Sequence, residues 1–152
     1  MNNQNLQLTI GRPATNEGRE DREIRVYDLL DQLGVSYYRI DHEETMTMEA
    51  CREIDAVLDA AICKNLFLTN KSMDRFFLLM IPGEKKFRTS QFSKLVGSSR
   101  LSFAPPEYME KYLDLFPGSA SVMGLMNDHA HQVQLAMDED LLGAEWIGFH
   151  PC

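Results

Sequence analysis

Two apolar runs set the terms for this chain. Ala61-Ile62-Cys63-Lys64-Asn65-Leu66-Phe67-Leu68-Thr69 and Arg75-Phe76-Phe77-Leu78-Leu79-Met80-Ile81 flank the polar stretch Lys71-Ser72-Met73-Asp74. Each run is strand-length and rich in residues that suit a pleated, buried surface. A short polar turn between them predicts a hairpin of central strands. Strands this apolar need cover on both faces, so the rest of the chain has to supply helices. Lys64 is the anomaly. Period-two alternation places Ile62, Lys64, Leu66 and Leu68 on one face, and Cys63, Asn65 and Phe67 on the other. Two readings of the ammonium are open: it snorkels to water, or it is held at the lip of a cavity and aimed at an anion. A lysine buried with no partner costs several kcal/mol, roughly, so an inward one needs an anionic group or a ligand.

The helices are legible. Ile24, Val26, Tyr27, Leu29, Leu30 and Leu33 recur at helical spacing from Glu20 and stop at Gly34. Thr47 is placed to cap a second helix over about 48–59. A short helix over 89–96 ends at Gly97, and Pro105-Pro106 opens another over about 106–114. Alternation predicts strands at Val35–Ile40, His131–Met137 and Trp146–Phe149, with a turn or short helix at Asp138–Leu142. Residues 116–124 read as a loop. Residues 1–17 are polar and patternless, a flexible lead-in, and 18–152 form one domain, with no repeat or internal linker. The fold class expected is mixed α/β, a mixed sheet with surrounding helices.

Several function classes fall away. No run of about 18 apolar residues exists to span a membrane, and the N-terminus lacks the order of a signal peptide, so a cytoplasmic protein is expected. Cys51, Cys63 and Cys152 form no CxxC pair, which argues against a disulfide framework or structural zinc. His129 and His131 would share a strand face, but two ligands are too few for zinc, and no metal or cofactor is expected. The formal charge of −8 disfavours nonspecific duplex binding. Within that acidic chain, residues 83–100 carry five basic side chains and a single acidic one, Glu84. A solvated helix face or a phosphate-contacting rim explains this island.

Three features carry possible chemistry: Lys64, the small-residue loop from Pro117 to Gly124, and His150 before Pro151. Glycines and small residues let backbone amides approach a ligand and stabilise an oxyanion, although most Pro-Gly-Ser stretches are plain turns. Histidine suits proton transfer near neutrality, although a lone one near a terminus is more often exposed or structural. No GxSxG, Walker, HExxH or GxGxxG motif is present.

Five segments, in order, resemble a known family. They are Lys64-Asn65-Leu66-Phe67-Leu68, Arg100-Leu101-Ser102-Phe103-Ala104, Pro117-Gly118-Ser119, Gly124-Leu125-Met126-Asn127-Asp128 and Phe149-His150-Pro151. From about Arg22 onward the chain is similar to the YbaK/prolyl-tRNA synthetase-associated editing domains, in their free-standing bacterial prolyl-tRNA editing branch. The resemblance implies that family's α/β fold and a trans-editing deacylase of mischarged tRNA, with alanyl-tRNA(Pro) as the expected substrate. The 3′ end of the tRNA is the implied partner, and prolyl-tRNA synthetase a further one. Lys64, His150 and Gly118 are the implied catalytic residues. Asn65, Ser119, Ala120, Ser121, Val122, Gly124 and His42 are the implied substrate contacts. A non-catalytic module of the same fold, binding a tRNA end or amino acid, is the alternative.

Two departures accompany the resemblance. The family's Gly-x-x-x-Pro loop here ends in Val122, which removes a φ restraint. Family members usually continue past the His-Pro pair, so a sequence stopping at Cys152 is expected to be shortened there. One difficulty also stands out. Lys64 and Asn65 leave a regular strand on opposite faces, so a twist or bulge is expected if both serve one ligand.

Overall fold

The computed structural model describes residues 6–42 and 48–152. The chain divides into two compact units, Met1–Ala60 and Ala61–Cys152.

In the first unit, β1 (Thr9–Ile10) pairs antiparallel with β2 (Tyr38–Arg39). The stretch read as patternless therefore contains a strand, whose partner lies almost thirty residues away. Between them runs α1 (Asp21–Leu33), with Asp21 and Glu23 in its first turn, where the helix dipole favours acids. Gly34 ends it in the left-handed region at φ 69°, and Val35 N–H returns to Leu30 O at 3.0 Å. Val26 and Tyr27 are buried, Tyr27 stacking on Tyr37 with ring centroids 6.0 Å apart. Leu33, expected on the apolar face, is exposed. The expected strand Val35–Ile40 shortens to β2, because only Tyr38 and Arg39 find ladder partners. Helix α2 (Met48–Leu58) follows; Thr47, its expected cap, lies outside the described residues.

The second unit is built on the hairpin of β3 (Ala61–Thr69) and β4 (Phe76–Pro82). Buried Asn70 closes the turn: its Oδ1 accepts from Asp74 and Arg75 N–H, and its amide donates to Asp74. The register runs without interruption from Cys63 opposite Pro82 to Thr69 opposite Phe76. The bulge expected at Lys64–Asn65 is absent. Phe67, Phe76 and Leu78 face Met109 and Leu113 of α4 (Pro106–Leu113). Leu68, Phe77, Leu79 and Ile81 face Phe92 of α3 (Thr89–Leu95) and Leu101. Both faces are covered, as the unbroken apolar runs require.

Two-residue strands complete the sheet. β5 (Ser102–Phe103) pairs antiparallel with Leu68–Thr69, and β7 (Ile147–Gly148) pairs parallel with Ala61–Ile62. β6 (Val133–Met137) runs parallel to β4. It starts two residues later than expected, leaving His129 and His131 in the preceding turn, with His131 at φ 53°. Among the described residues no group of three potential metal ligands forms, and no helix is long and apolar enough to cross a membrane. Val122–Asn127, read as the end of a loop and its continuation, is a 3-10 helix. Glu139–Leu141 is another.

Candidate active site

β3 is paired with β4 along most of its length, but its other side is interrupted. β7 covers Ala61–Ile62 and β5 covers Leu68–Thr69, and among the described residues no strand covers 63–67. The main chain shows which groups face this gap. On that side Ala61 N–H bonds Trp146 O at 2.9 Å, and Phe67 O accepts from Ala104 N–H at 3.0 Å. Alternation then directs the backbone polar groups of Cys63 and Asn65 the same way. A cleft of about 500 Å³ opens there, within the size range of small-ligand sites. Phe103, Ala104, Pro106 and Met109 line it together with Pro117, Gly118, Ala120 and His150.

The open edge resolves the difficulty posed by Lys64 and Asn65. Both line the cleft although the strand is regular, because an edge is reachable from either face. Lys64 shares its face with Leu66 and Leu68, and its Nζ donates to Lys85 O at 2.9 Å. An ammonium has three donors, so this bond leaves capacity for a ligand. Lys85 is fixed in turn, its Nζ 2.8 Å from Asp138 and 2.7 Å from Asp140. Those hydrogen bonds raise the Lys85 pKa above the ordinary lysine value and, from Lys85, lower that of Asp138. Asn65 occupies the other face, and its Oδ1 accepts from Val122 N–H at 2.9 Å.

The loop that contributes Pro117, Gly118 and Ala120 follows from its sequence. Pro117-Gly118 occupies the centre of a tight turn closed by Ser119 N–H to Phe116 O at 3.0 Å, with Gly118 at φ 89°. Proline followed by a left-handed glycine is the residue order of a type II turn. Ser119 Oγ accepts from Phe116 N–H and donates to Phe116 O. Ser121, fully buried, caps the 3-10 helix by accepting from Met123 N–H. Neither hydroxyl is presented as a nucleophile. The N–H groups of Ser119 and Val122 are thus engaged. Those of Gly118 and Ala120 have no protein acceptor among the described residues, and both residues line the cleft. Cys63 also borders it, but burial pushes its thiol pKa up, against a smaller pull from Asn65, which disfavours a thiolate.

The cleft therefore brings together Lys64, Asn65, Gly118, Ala120 and His150. Ser119, Ser121 and Val122 support the loop from outside its lining. Gly124 is packed elsewhere: a Cβ there would lie 2.8 Å from Leu115 Cδ1 and 3.1 Å from Leu113 O. Its neighbours are also structural. Asn127 donates to Leu113 O at the end of α4, and Asp128 accepts from Gln132 and Val133 N–H before β6. His42 belongs to the first unit and is absent from the lining. Sequence reasoning missed Phe103, Met109 and the Lys85–Asp138–Asp140 anchor. The only signal for the anchor was the basic island, whose partners lie over fifty residues away.

A mixed sheet with a cleft at an open strand edge, lined by Lys64, Asn65, Gly118, Ala120 and His150, has the form of a small-ligand site. Comparison with known proteins narrows this. The profile of the aminoacyl-tRNA editing domain matches residues 42–152, most of the chain. The chain is 31% identical over 131 residues to the prolyl-tRNA editing protein ProX of Acetoanaerobium sticklandii, covering 86% of this chain and 80% of that one. It is 29% identical over 126 residues to the mouse prolyl-tRNA synthetase associated domain-containing protein 1, covering 80% and 74%. A solved structure of a candidate trans-editing enzyme for prolyl tRNA synthetase shares the fold at 21% identity and a TM-score of 0.60, covering 82% and 76%. The chain belongs to the aminoacyl-tRNA editing domain family, the one its five ordered motifs resemble.

Proposed function

We propose that this protein is a trans-editing deacylase that hydrolyses the ester of alanyl-tRNA(Pro), releasing alanine and free tRNA. The observation that carries the reading is the convergence of Lys64, Gly118, Ala120 and His150 on one cleft at the open edge of β3. Water adds to the ester carbonyl carbon, and the carbonyl oxygen takes the negative charge. The Gly118 and Ala120 N–H groups are the donors for that oxyanion, and the Lys64 ammonium is the nearby positive charge. The carbon–oxygen bond to the terminal ribose then breaks. The ribose oxygen leaves with a proton and the amino acid leaves as its carboxylate. An activated ester needs positioned water more than a covalent nucleophile. The engaged serines and the raised Cys63 thiol support that route, in which the ribose hydroxyl of the substrate assists. His150, which lines the cleft, is the candidate for handling the proton.

A proline pocket rejects the smaller alanine weakly, because a missing methylene is worth only about 1–3 kcal/mol. A second site that admits alanine and excludes proline by size completes the discrimination. The tRNA 3′ end is the partner this reading requires, with prolyl-tRNA synthetase as the enzyme whose errors it corrects. The test is a deacylation panel of alanyl-, cysteinyl-, seryl- and prolyl-tRNA with wild type and Lys64→Ala. Multiple turnover of alanyl-tRNA(Pro), sparing of prolyl-tRNA and a large loss in Lys64→Ala are expected. Binding of mischarged tRNA with no hydrolysis above background would replace the deacylase with a binding module. Equal rates for the two proteins would remove Lys64 from the mechanism.

A further inference from the structure

The loop between Gly118 and Val122 must keep its amides aimed at the cleft, and its two ends are held differently. The first end is closed on itself by the Phe116–Ser119 turn and the two Ser119 hydroxyl bonds. The second end is held from another element: Asn65 on β3 accepts from Val122 N–H at 2.9 Å, across 57 residues of sequence. Val122 is the first residue of a 3-10 helix. A first-turn N–H has no partner inside its own helix. Ser121 Oγ already serves Met123 N–H, which leaves the Val122 N–H to Asn65. Proline suits this position in other helices because it has no N–H to satisfy and a preset φ. Ser121, at φ −143° and ψ 142°, has the extended backbone that precedes proline. Both features make Val122→Pro a compatible variant that removes the N–H.

We propose that Asn65 is a positioning residue, its side chain tethering the loop at Val122 to β3. Its carboxamide oxygen ties the start of the 3-10 helix to β3 and so fixes Ala120, two residues upstream, against the cleft. Asn65 then acts on the reaction through the loop, and its side chain does not grip the substrate. This rests on the deacylase reading for its kinetic consequence, and on the hydrogen bond alone for its structural one.

The experiment is a double-mutant cycle of Asn65→Ala and Val122→Pro, with Asn65→Asp as the conservative variant that keeps an acceptor oxygen. Two readouts are taken: steady-state deacylation of alanyl-tRNA(Pro), and amide hydrogen exchange at Val122. Asn65→Ala is expected to lower kcat about tenfold with KM changed less than about twofold, the scale of one lost hydrogen bond. It is also expected to speed Val122 exchange about tenfold while leaving Leu78 in β4 protected. Asn65→Asp keeps the slow exchange and most of kcat. In the Val122→Pro background, where no N–H exists to hold, Asn65→Ala is expected to change kcat less than about twofold. An equal tenfold loss in both backgrounds, or a loss carried by KM, would overturn the proposal and make Asn65 a substrate contact. Unchanged Val122 exchange in Asn65→Ala would also overturn it. Exchange is read without tRNA, so a wild type that deacylates nothing refutes the deacylase and leaves the tether to be judged separately.

Discussion

Single residues of this chain divide between those that touch the cleft and those that hold its walls. Gly118, at φ 89°, occupies a backbone region that costs an L-residue about 1–2 kcal/mol. Gly118→Ala has space for its methyl group, so it should lower stability by about that amount in urea unfolding and also lower kcat. Normal kcat would show that the loop amides tolerate a rebuilt turn. Gly124 fails for a different reason: its added Cβ meets Leu115 and the Leu113 main chain. Gly124→Ala should cost about 1–3 kcal/mol, the usual price of overpacking, with KM unchanged in the protein that remains folded. Lys64 was visible in the sequence because an ammonium in an apolar run has to be accounted for. Asp138 and Asp140 were not, since two acids in a polar turn look solvated until Lys85 is seen to fold onto them. The packing at Gly124 was invisible, because a glycine needed for packing and one needed for a ligand are written with the same letter.

Elements whose signal lies within their own length were legible. The hairpin, α1, α3 and α4 all follow periodicity and capping, to within a residue or two. β5 and β7 were not so well defined, since a two-residue strand has no period and exists only through distant partners on β3. These two strands frame the cleft, so its existence was hidden even though Lys64, Asn65, Gly118, Ala120 and His150 of its lining were named. In the first unit, α1 is clamped by charge: Arg19 hydrogen-bonds Glu23 and both carboxylate oxygens of Asp41, and Arg39 also reaches Asp41. The Arg19 hydrogen bond is the main cause holding Asp41 below the ordinary carboxylate value. In the window between that lowered pKa and the unfolded value of about 3.9, the unfolded chain binds more protons. Stability from this group is therefore present above that window and is lost as pH falls through the folded pKa. Thermal melts from pH 2 to 6 should show a steeper acid decline in wild type than in Asp41→Asn; parallel curves would mean the clamp is worth nothing.

Across the whole molecule, charge is distributed in a way that a net figure of −8 conceals. Lys85 is consumed by its ion pairs, but Lys86, Arg88, Lys94 and Arg100 are exposed. If about two phosphates of a tRNA are neutralised there, KM should rise about tenfold between 50 and 200 mM salt. A fourfold variant with glutamine at those positions should flatten the dependence; an unchanged slope would place the phosphate contacts elsewhere. The interrupted pairing of β3 has a consequence for how such a protein can be studied or can drift. Part of what lines the cleft is peptide bond, common to every residue, so replacing the side chain of Cys63 leaves its cleft-facing carbonyl in place. Alanine scanning will under-count this surface, and selection on side chains cannot easily erase it. Backbone amide-to-ester exchange at Asn65 is the chemistry that would reveal it.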